Sequence, residues 1–155
     1  MAEKNLLQNV YLFKNMNPEE ILKIQAAAEA QTLMSGDEVF KEGEKALAMY
    51  VIRYGTVRLY QNSSDSDSLE IGILGTGAHL GEMPFIDKEP RSATAVAVEK
   101  CELVRLDYDK LRDVLLKHPA LAVKFYESLC QFLCGRLRIT TKDLSFAREK
   151  NLQHF

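Results

Sequence analysis

The chain has no tryptophan, only four prolines and three histidines, and no run approaching the roughly eighteen apolar residues that a membrane-spanning helix requires. Its N-terminus lacks the basic-then-apolar pattern of a secretory signal. A soluble cytoplasmic domain with no membrane partner is therefore expected. Three cysteines (Cys101, Cys130 and Cys134) are an odd number in no metal-site spacing, which suits a reducing compartment and argues against a cysteine-ligated iron–sulfur cluster. Cys130 and Cys134 are four residues apart and can share a helix face, where core or interface packing is the expected role. The histidines (His79, His118 and His154) form no metal-binding pair. No Gly-x-Ser-x-Gly elbow, Walker loop or paired His/Glu helix motif occurs. Nothing in the chain marks an enzyme. A net positive charge is also missing: a formal charge of −2 and a pI near 5.9 argue against general attraction to nucleic acid or a membrane surface.

What is present is one domain's worth of ordinary globular sequence, 155 residues with 46% hydrophobic and 27% charged content. Leu6, Leu7, Val10, Leu12 and Phe13 form an apolar lead-in that packs on the domain. A helix is expected near residues 18–29: Asn17 is a good N-cap, Pro18 suits the first helical position, and Glu20 completes a capping box. Ile21, Leu22 and Ile24 give it an apolar stripe, followed by an alanine-rich run from Ala26 to Ala30.

From about Gln31 to Leu106 the texture changes to short segments rich in Val, Ile, Leu and Tyr, separated by Gly, Asp, Asn and Ser. The stretch 62–68 reads as a polar, mobile loop at a hairpin tip. The last two strands fall at 92–98 and 103–106. Beyond Asp107, residues 108–117 give a short amphipathic helix stopped by His118-Pro119, and Pro119 opens a longer one to roughly residue 148. Cys130, Leu133, Leu137, Thr140, Leu144 and Ala147 alternate spacings of three and four, the signature of a coiled-coil seam. Continued, that register reaches Asn151 and His154. A parallel homodimer through this helix is expected, in preference to a helix that merely covers its own barrel. The fold class is thus mostly β with flanking helices: an antiparallel β-roll or jelly-roll barrel with an N-terminal helix and short plus long C-terminal helices. The organisation is an N-terminal helical segment (1–30), the roll (31–107), and C-terminal lid or dimer helices (108–155).

The chemistry concentrates in residues 81–93, Gly81-Glu82-Met83-Pro84 through Pro90-Arg91-Ser92-Ala93. A carboxylate and an arginine stand nine residues apart, joined by a turn of helix and a Pro-bounded loop. Glu82 can accept from ribose hydroxyls and Arg91 offers a planar fork matched to phosphate, so one segment can hold both halves of a phosphorylated sugar. The alternative is a structural ion pair bridging a loop.

These motifs resemble the cyclic nucleotide-binding domain family, which includes the catabolite activator protein and the regulatory subunit of protein kinase A. The resemblance runs from Val10 to about Leu144. It takes in Leu12-Phe13, the Asn17-Pro18 helix start, the hairpin around Gly36-Asp37 and Gly43, the stretch from Tyr50 to Val57, and above all Gly81-Glu82-Met83 with Pro90-Arg91-Ser92-Ala93, which looks like the family's phosphate-binding cassette.

The resemblance implies a sensor or regulatory domain for signal transduction, binding cyclic AMP or, as the lesser choice, cyclic GMP, through Gly81, Glu82, Met83, Arg91 and Ser92. Glu82 would accept from the ribose 2′-hydroxyl, Gly81 would let the backbone approach, Arg91 would neutralise the cyclic phosphate, and Ser92 would add a donor. Thr140 and Thr141 stand where the activator's dimer helix touches adenine; their alternative is a polar pair at the seam. No cofactor is implied. His79 precedes the cassette, where a gas-sensing relative would carry a haem ligand, but a surface or loop histidine is expected. Two positions depart from the pattern. Pro84 has no N–H to offer a phosphate, though it suits a first helical turn, and Leu80 replaces an aromatic. In the transcription-factor branch a helix-turn-helix follows the long helix. None follows here, so direct DNA binding is not expected and the output is a shape change passed to an unidentified protein partner. The alternative is a degenerate fold that binds no nucleotide and serves as a dimerisation module.

Overall fold

A computed structural model describes residues 6–7, 9–62 and 67–153. A 3₁₀ turn (Tyr11–Phe13) and helix α1 (Pro18–Gln25) lead into strands β1 (Ala28–Leu33), β2 (Glu38–Phe40), β3 (Ala48–Tyr54), β4 (Val57–Asn62), β5 (Ser68–Leu74) and β6 (His79–Leu80). Helix α2 (Met83–Asp87), strands β7 (Thr94–Ala97) and β8 (Cys101–Asp107), and helices α3 (Tyr108–Lys117) and α4 (Pro119–Gln153) follow. The strands form two four-stranded antiparallel sheets, ordered β1-β8-β3-β6 and β2-β7-β4-β5. This is the expected β-roll with flanking helices.

Within the first sheet, β3 is buried on both faces from Ala48 to Ile52, which is why it reads as a nearly continuous apolar run. Met49 and Val51 of β3, with Val104 and Leu106 of β8, face a core built with Leu12, Phe13, Ile24, Leu111 and Phe125. Their neighbours Ala48, Tyr50, Ile52 and Leu103 face the roll interior with Phe40, Leu80 and Ala95. Successive side chains of a strand point to opposite faces, so one strand serves two cores. The turn from β3 to β4 depends on Gly55: its φ is +110°, and an added Cβ would lie 2.9 Å from both the Cys101 Cα and the Lys100 carbonyl.

The capping box forms as expected. The Asn17 side chain accepts from the Glu20 amide at 2.8 Å, and Glu20 accepts from the Asn17 amide at 3.0 Å. Lys124 Nζ also reaches Glu20 Oε1 at 2.8 Å, tying α1 to α4. The helix is shorter than the expected 18–29, however. It stops at Gln25, and Ala28–Ala30 belong to β1, paired with Leu106, Arg105 and Val104 of β8. Alanine's helical preference amounts to tenths of a kcal/mol per residue, and a six-residue ladder against a central strand overrides it. The polar hairpin tip lies partly outside the described residues, at 63–66.

Helix α4 packs on the body through Leu121, Phe125, Ser128 and Leu129. From Gly135 to Leu152 every residue is exposed, including Leu137, Ile139, Leu144 and Phe146. It runs past residue 148 to Gln153, while His154 lies outside the described residues. No helix among the described residues is long and apolar enough to cross a membrane.

Candidate functional site

Residues 81–93 leave β6, turn through α2 and return into β7, which places them at the mouth of the roll. Gly81 makes the first turn with a φ of +81°, and an added Cβ would lie 2.7 Å from Arg91 Nη1 and 3.3 Å from the Phe40 ring. Only glycine leaves that space to the guanidinium. Pro84 sits in the first turn of α2, where its missing N–H costs nothing to the helix. Lys88 closes α2 in the left-handed conformation, its amide donating to the Pro84 carbonyl at 2.9 Å.

The backbone of Arg91 is clamped from both sides. Its amide donates to the Glu44 carbonyl at 2.9 Å, and its carbonyl accepts from the Gly43 amide at 2.9 Å. Its side chain turns inward and is only 6% exposed. Nη2 donates to the Ala48 carbonyl at 2.6 Å, and Nη1 donates to the Gly81 carbonyl and the Tyr108 hydroxyl, each at 3.4 Å. The guanidinium lies 4.0 Å from the centre of the Phe40 ring. No carboxylate pairs with it among the described residues. A buried charge is ordinarily paired with an opposite one; this cation is instead solvated by carbonyls, a phenol and a ring face. The expected alternative, a Glu82–Arg91 ion pair bridging the loop, is not formed.

Glu82 is buried too, at 9% exposure. Its Oε2 lies 3.4 Å from His79 Nδ1. His79 is not the surface or loop residue the sequence suggests: it sits in β6, opposite Val51 of β3, and is 2% exposed. Its imidazole packs on Phe132 of α4, with ring centres 4.1 Å apart. Neither ring nitrogen has a properly directed hydrogen-bond partner among the described residues, a condition that costs about 1–3 kcal/mol for a buried polar group.

Tyr108, the first residue of α3, donates its hydroxyl to the Gly81 carbonyl. Burial pushes its phenol up to about 12, against the opposing pull of the Arg91 charge. On the outer side of α2, a cleft of about 590 Å³ is lined by Leu47, Pro84, Lys88, Tyr108 and Arg112 but by neither Glu82 nor Arg91.

The structure thus brings Gly81 and Arg91 into contact, while the Glu82 carboxylate meets His79. Met83 and Ser92 are exposed at the rim, and the Ser92 carbonyl accepts from Gln61 Nε2 of β4 at 3.0 Å. Thr140 and Thr141 are not brought to the site. They are exposed on the projecting half of α4, about 12 Å along the axis beyond Phe132 at the ordinary helical rise. Sequence reasoning missed Phe40, Ala48, Tyr108 and Phe132, which reach the site through strand pairing and helix packing. The one local signal was a tyrosine, apolar in body and polar at its tip, opening a helix directly after a buried strand.

A two-sheet β-roll with a buried arginine and a buried carboxylate in a single connecting segment points to a class of small-molecule-binding domain. More specifically, the chain belongs to the cyclic nucleotide-binding domain family, whose model, described as "Cyclic nucleotide-binding domain", matches residues 30–118. It is 30% identical over 143 residues to the "Cyclic AMP receptor protein" of Thermus thermophilus, covering 90% of this chain and 64% of that protein. The crystal structure of Thermus thermophilus catabolite activator protein superposes with a TM-score of 0.77 at 29% identity, covering 88% of this chain and 62% of the other. That of a cyclic nucleotide-binding domain from Methylobacillus flagellatus gives 0.79 at 26% identity, covering 88% and 77%. The chain therefore spans a little under two thirds of the Thermus relative's length.

Proposed function

We propose that the domain is a cyclic nucleotide sensor, with cyclic AMP ahead of cyclic GMP as ligand, and that it signals by movement of α4. The observation that carries this reading is the buried Arg91 guanidinium, which is held by neutral partners alone and so completed by a ligand anion. In this reading the buried Glu82 carboxylate accepts the ribose 2′-hydroxyl, Gly81 leaves room for the backbone to approach, and Met83 and Ser92 close the rim. The name of the Thermus relative supports cyclic AMP. Thr140 and Thr141 contact the base once α4 closes over the roll, or once a second copy's α4 does so. The exposed apolar residues of α4 support a homodimer formed through that helix. The output is a change in the surface α4 presents to a protein partner, so the domain is a binding module and not an enzyme.

Isothermal titration with cyclic AMP and cyclic GMP tests the reading. A saturable signal with cyclic AMP is expected, with affinity about a hundredfold lower in Arg91→Ala, because charge-assisted bonds contribute roughly 1.5–3 kcal/mol each and about 1.4 kcal/mol is tenfold. Absence of binding by either nucleotide at millimolar concentration would leave the second reading, a nucleotide-free dimerisation module. Two features favour that outcome: Pro84 supplies no N–H, and two backbone carbonyls already hold the Arg91 fork.

A further inference from the structure

We propose that His79 is a positioning residue for Glu82 and the link through which α4 senses the cassette. The inference rests on the reading of Glu82 as the hydroxyl acceptor and goes beyond it. His79 Nδ1 lies 3.4 Å from Glu82 Oε2, while both ring nitrogens lack a directed hydrogen bond among the described residues. Buried polar groups in native folds are nearly always hydrogen-bonded, and an exception calls for an explanation, of which a functional role is one. A small rotation of the Glu82 carboxylate shortens this contact to the length of a charge-assisted hydrogen bond. One carboxylate oxygen is then held by the imidazole, and the other is presented to a ribose hydroxyl.

The opposite side of the coupling is Phe132. Its ring rests on the imidazole at 4.1 Å, packs against Tyr11 of the 3₁₀ turn at 6.2 Å, and lies under the Arg136 guanidinium at 5.8 Å. Displacement of α4 tilts Phe132 and with it the imidazole plane. Hydroxyl capture and helix position therefore act on a single side chain. A ligand that draws Glu82 toward its hydroxyl favours one placement of Phe132, and α4 placed that way improves hydroxyl capture in return.

The decisive readout is discrimination between cyclic AMP and 2′-deoxy cyclic AMP by calorimetry. The wild type is expected to favour the ribose form. His79→Phe keeps an aromatic ring against Phe132 but removes the donor, and should lower that preference about tenfold. His79→Gln, which restores an N–H donor, should recover part of it. Equal weakening of both ligands in His79→Phe would reduce His79 to a packing role and overturn the proposal. A second measurement needs no ligand: in ¹⁵N-histidine NMR spectra, Glu82→Gln and Phe132→Ala should each shift the His79 ring nitrogens. Unmoved His79 signals in Glu82→Gln would also overturn it. Should the wild type bind neither nucleotide, the functional reading falls, and the NMR result alone decides whether His79 positions Glu82.

Discussion

Arg91 and Tyr108 share a carbonyl: Nη1 of the arginine and the tyrosine hydroxyl both donate to Gly81, and Nη1 also donates to that hydroxyl at 3.4 Å. The first residue of α3 thereby holds the cassette's glycine turn and its cation together. Tyr108→Phe removes the hydroxyl without changing the packing of its ring on Phe85. The expected result is a loss of about 1–2 kcal/mol in denaturant unfolding. Nucleotide affinity should fall by severalfold but persist, because the Ala48 carbonyl still holds Arg91.

The same phenol gives a signature in alkali. Its folded value is raised to about 12 from the ordinary 10 by burial, so the folded state favours the neutral form. The associated stability is fully present below pH 10 and is lost as pH rises through 12. Spectrophotometric titration of the six tyrosines should show one ionising late, and Tyr108→Phe should remove that component.

Two glycines separate stability from function. Gly55→Ala meets backbone atoms of Lys100 and Cys101 at a positive φ, and its nearest neighbours lie outside the cassette. It should cost about 1–3 kcal/mol and leave affinity intact in the folded fraction. Gly81→Ala carries a similar backbone cost and in addition displaces Arg91 Nη1, so its affinity should fall as well. Thermal unfolding and calorimetry on the two variants distinguish the cases.

At low pH, the tie between α1 and α4 weakens. Hydrogen bonding from Lys124 and the Asn17 amide holds Glu20 below its ordinary 4.5. A depressed carboxylate stabilises the fold above its unfolded value, and that contribution disappears as pH falls through the folded one. Unfolding curves recorded from neutral to acid pH should therefore be flatter for Glu20→Gln than for the wild type.

Leu137 and Leu144 are exposed on the half of α4 that leaves the body. Replacing both by Asp should convert a dimer to monomer in sedimentation velocity experiments while leaving the unfolding midpoint of the diluted, monomeric roll unchanged. A wild type that sediments as a monomer at high concentration would rule out the seam.

Local chemistry made the beginnings of elements legible: the Asn17–Glu20 box, the Asp107 start of α3, and the His118-Pro119 break before α4 all appear where the sequence places them. The β-roll was legible from its strand spacing and glycine turns. Ala28–Ala30 misled because their neighbours are helix formers and their partner strand lies more than seventy residues away. Glu82 and Arg91 were legible as an uncommon pair in one segment. Their actual partners (His79, Phe40, Ala48 and Tyr108) come from three strands and a helix, and no local spacing encodes which carbonyl faces an arginine. His79 looked like a loop residue because polar side chains usually are, and its burial follows from pairing with Val51.

Strand β3 stands between the roll interior and the helical layer, sending Tyr50 to the side of Phe40 and Arg91 while Met49 and Val51 support the helices. The wall between the roll interior and the helical layer is therefore one strand thick, and the two compartments have no insulation. A ligand that presses on Tyr50 pushes a surface whose reverse is the seat of Phe13, Leu111 and Phe125. Loosening the helices, by mutation or by a partner protein, should in the same way reshape the pocket without touching any residue that lines it.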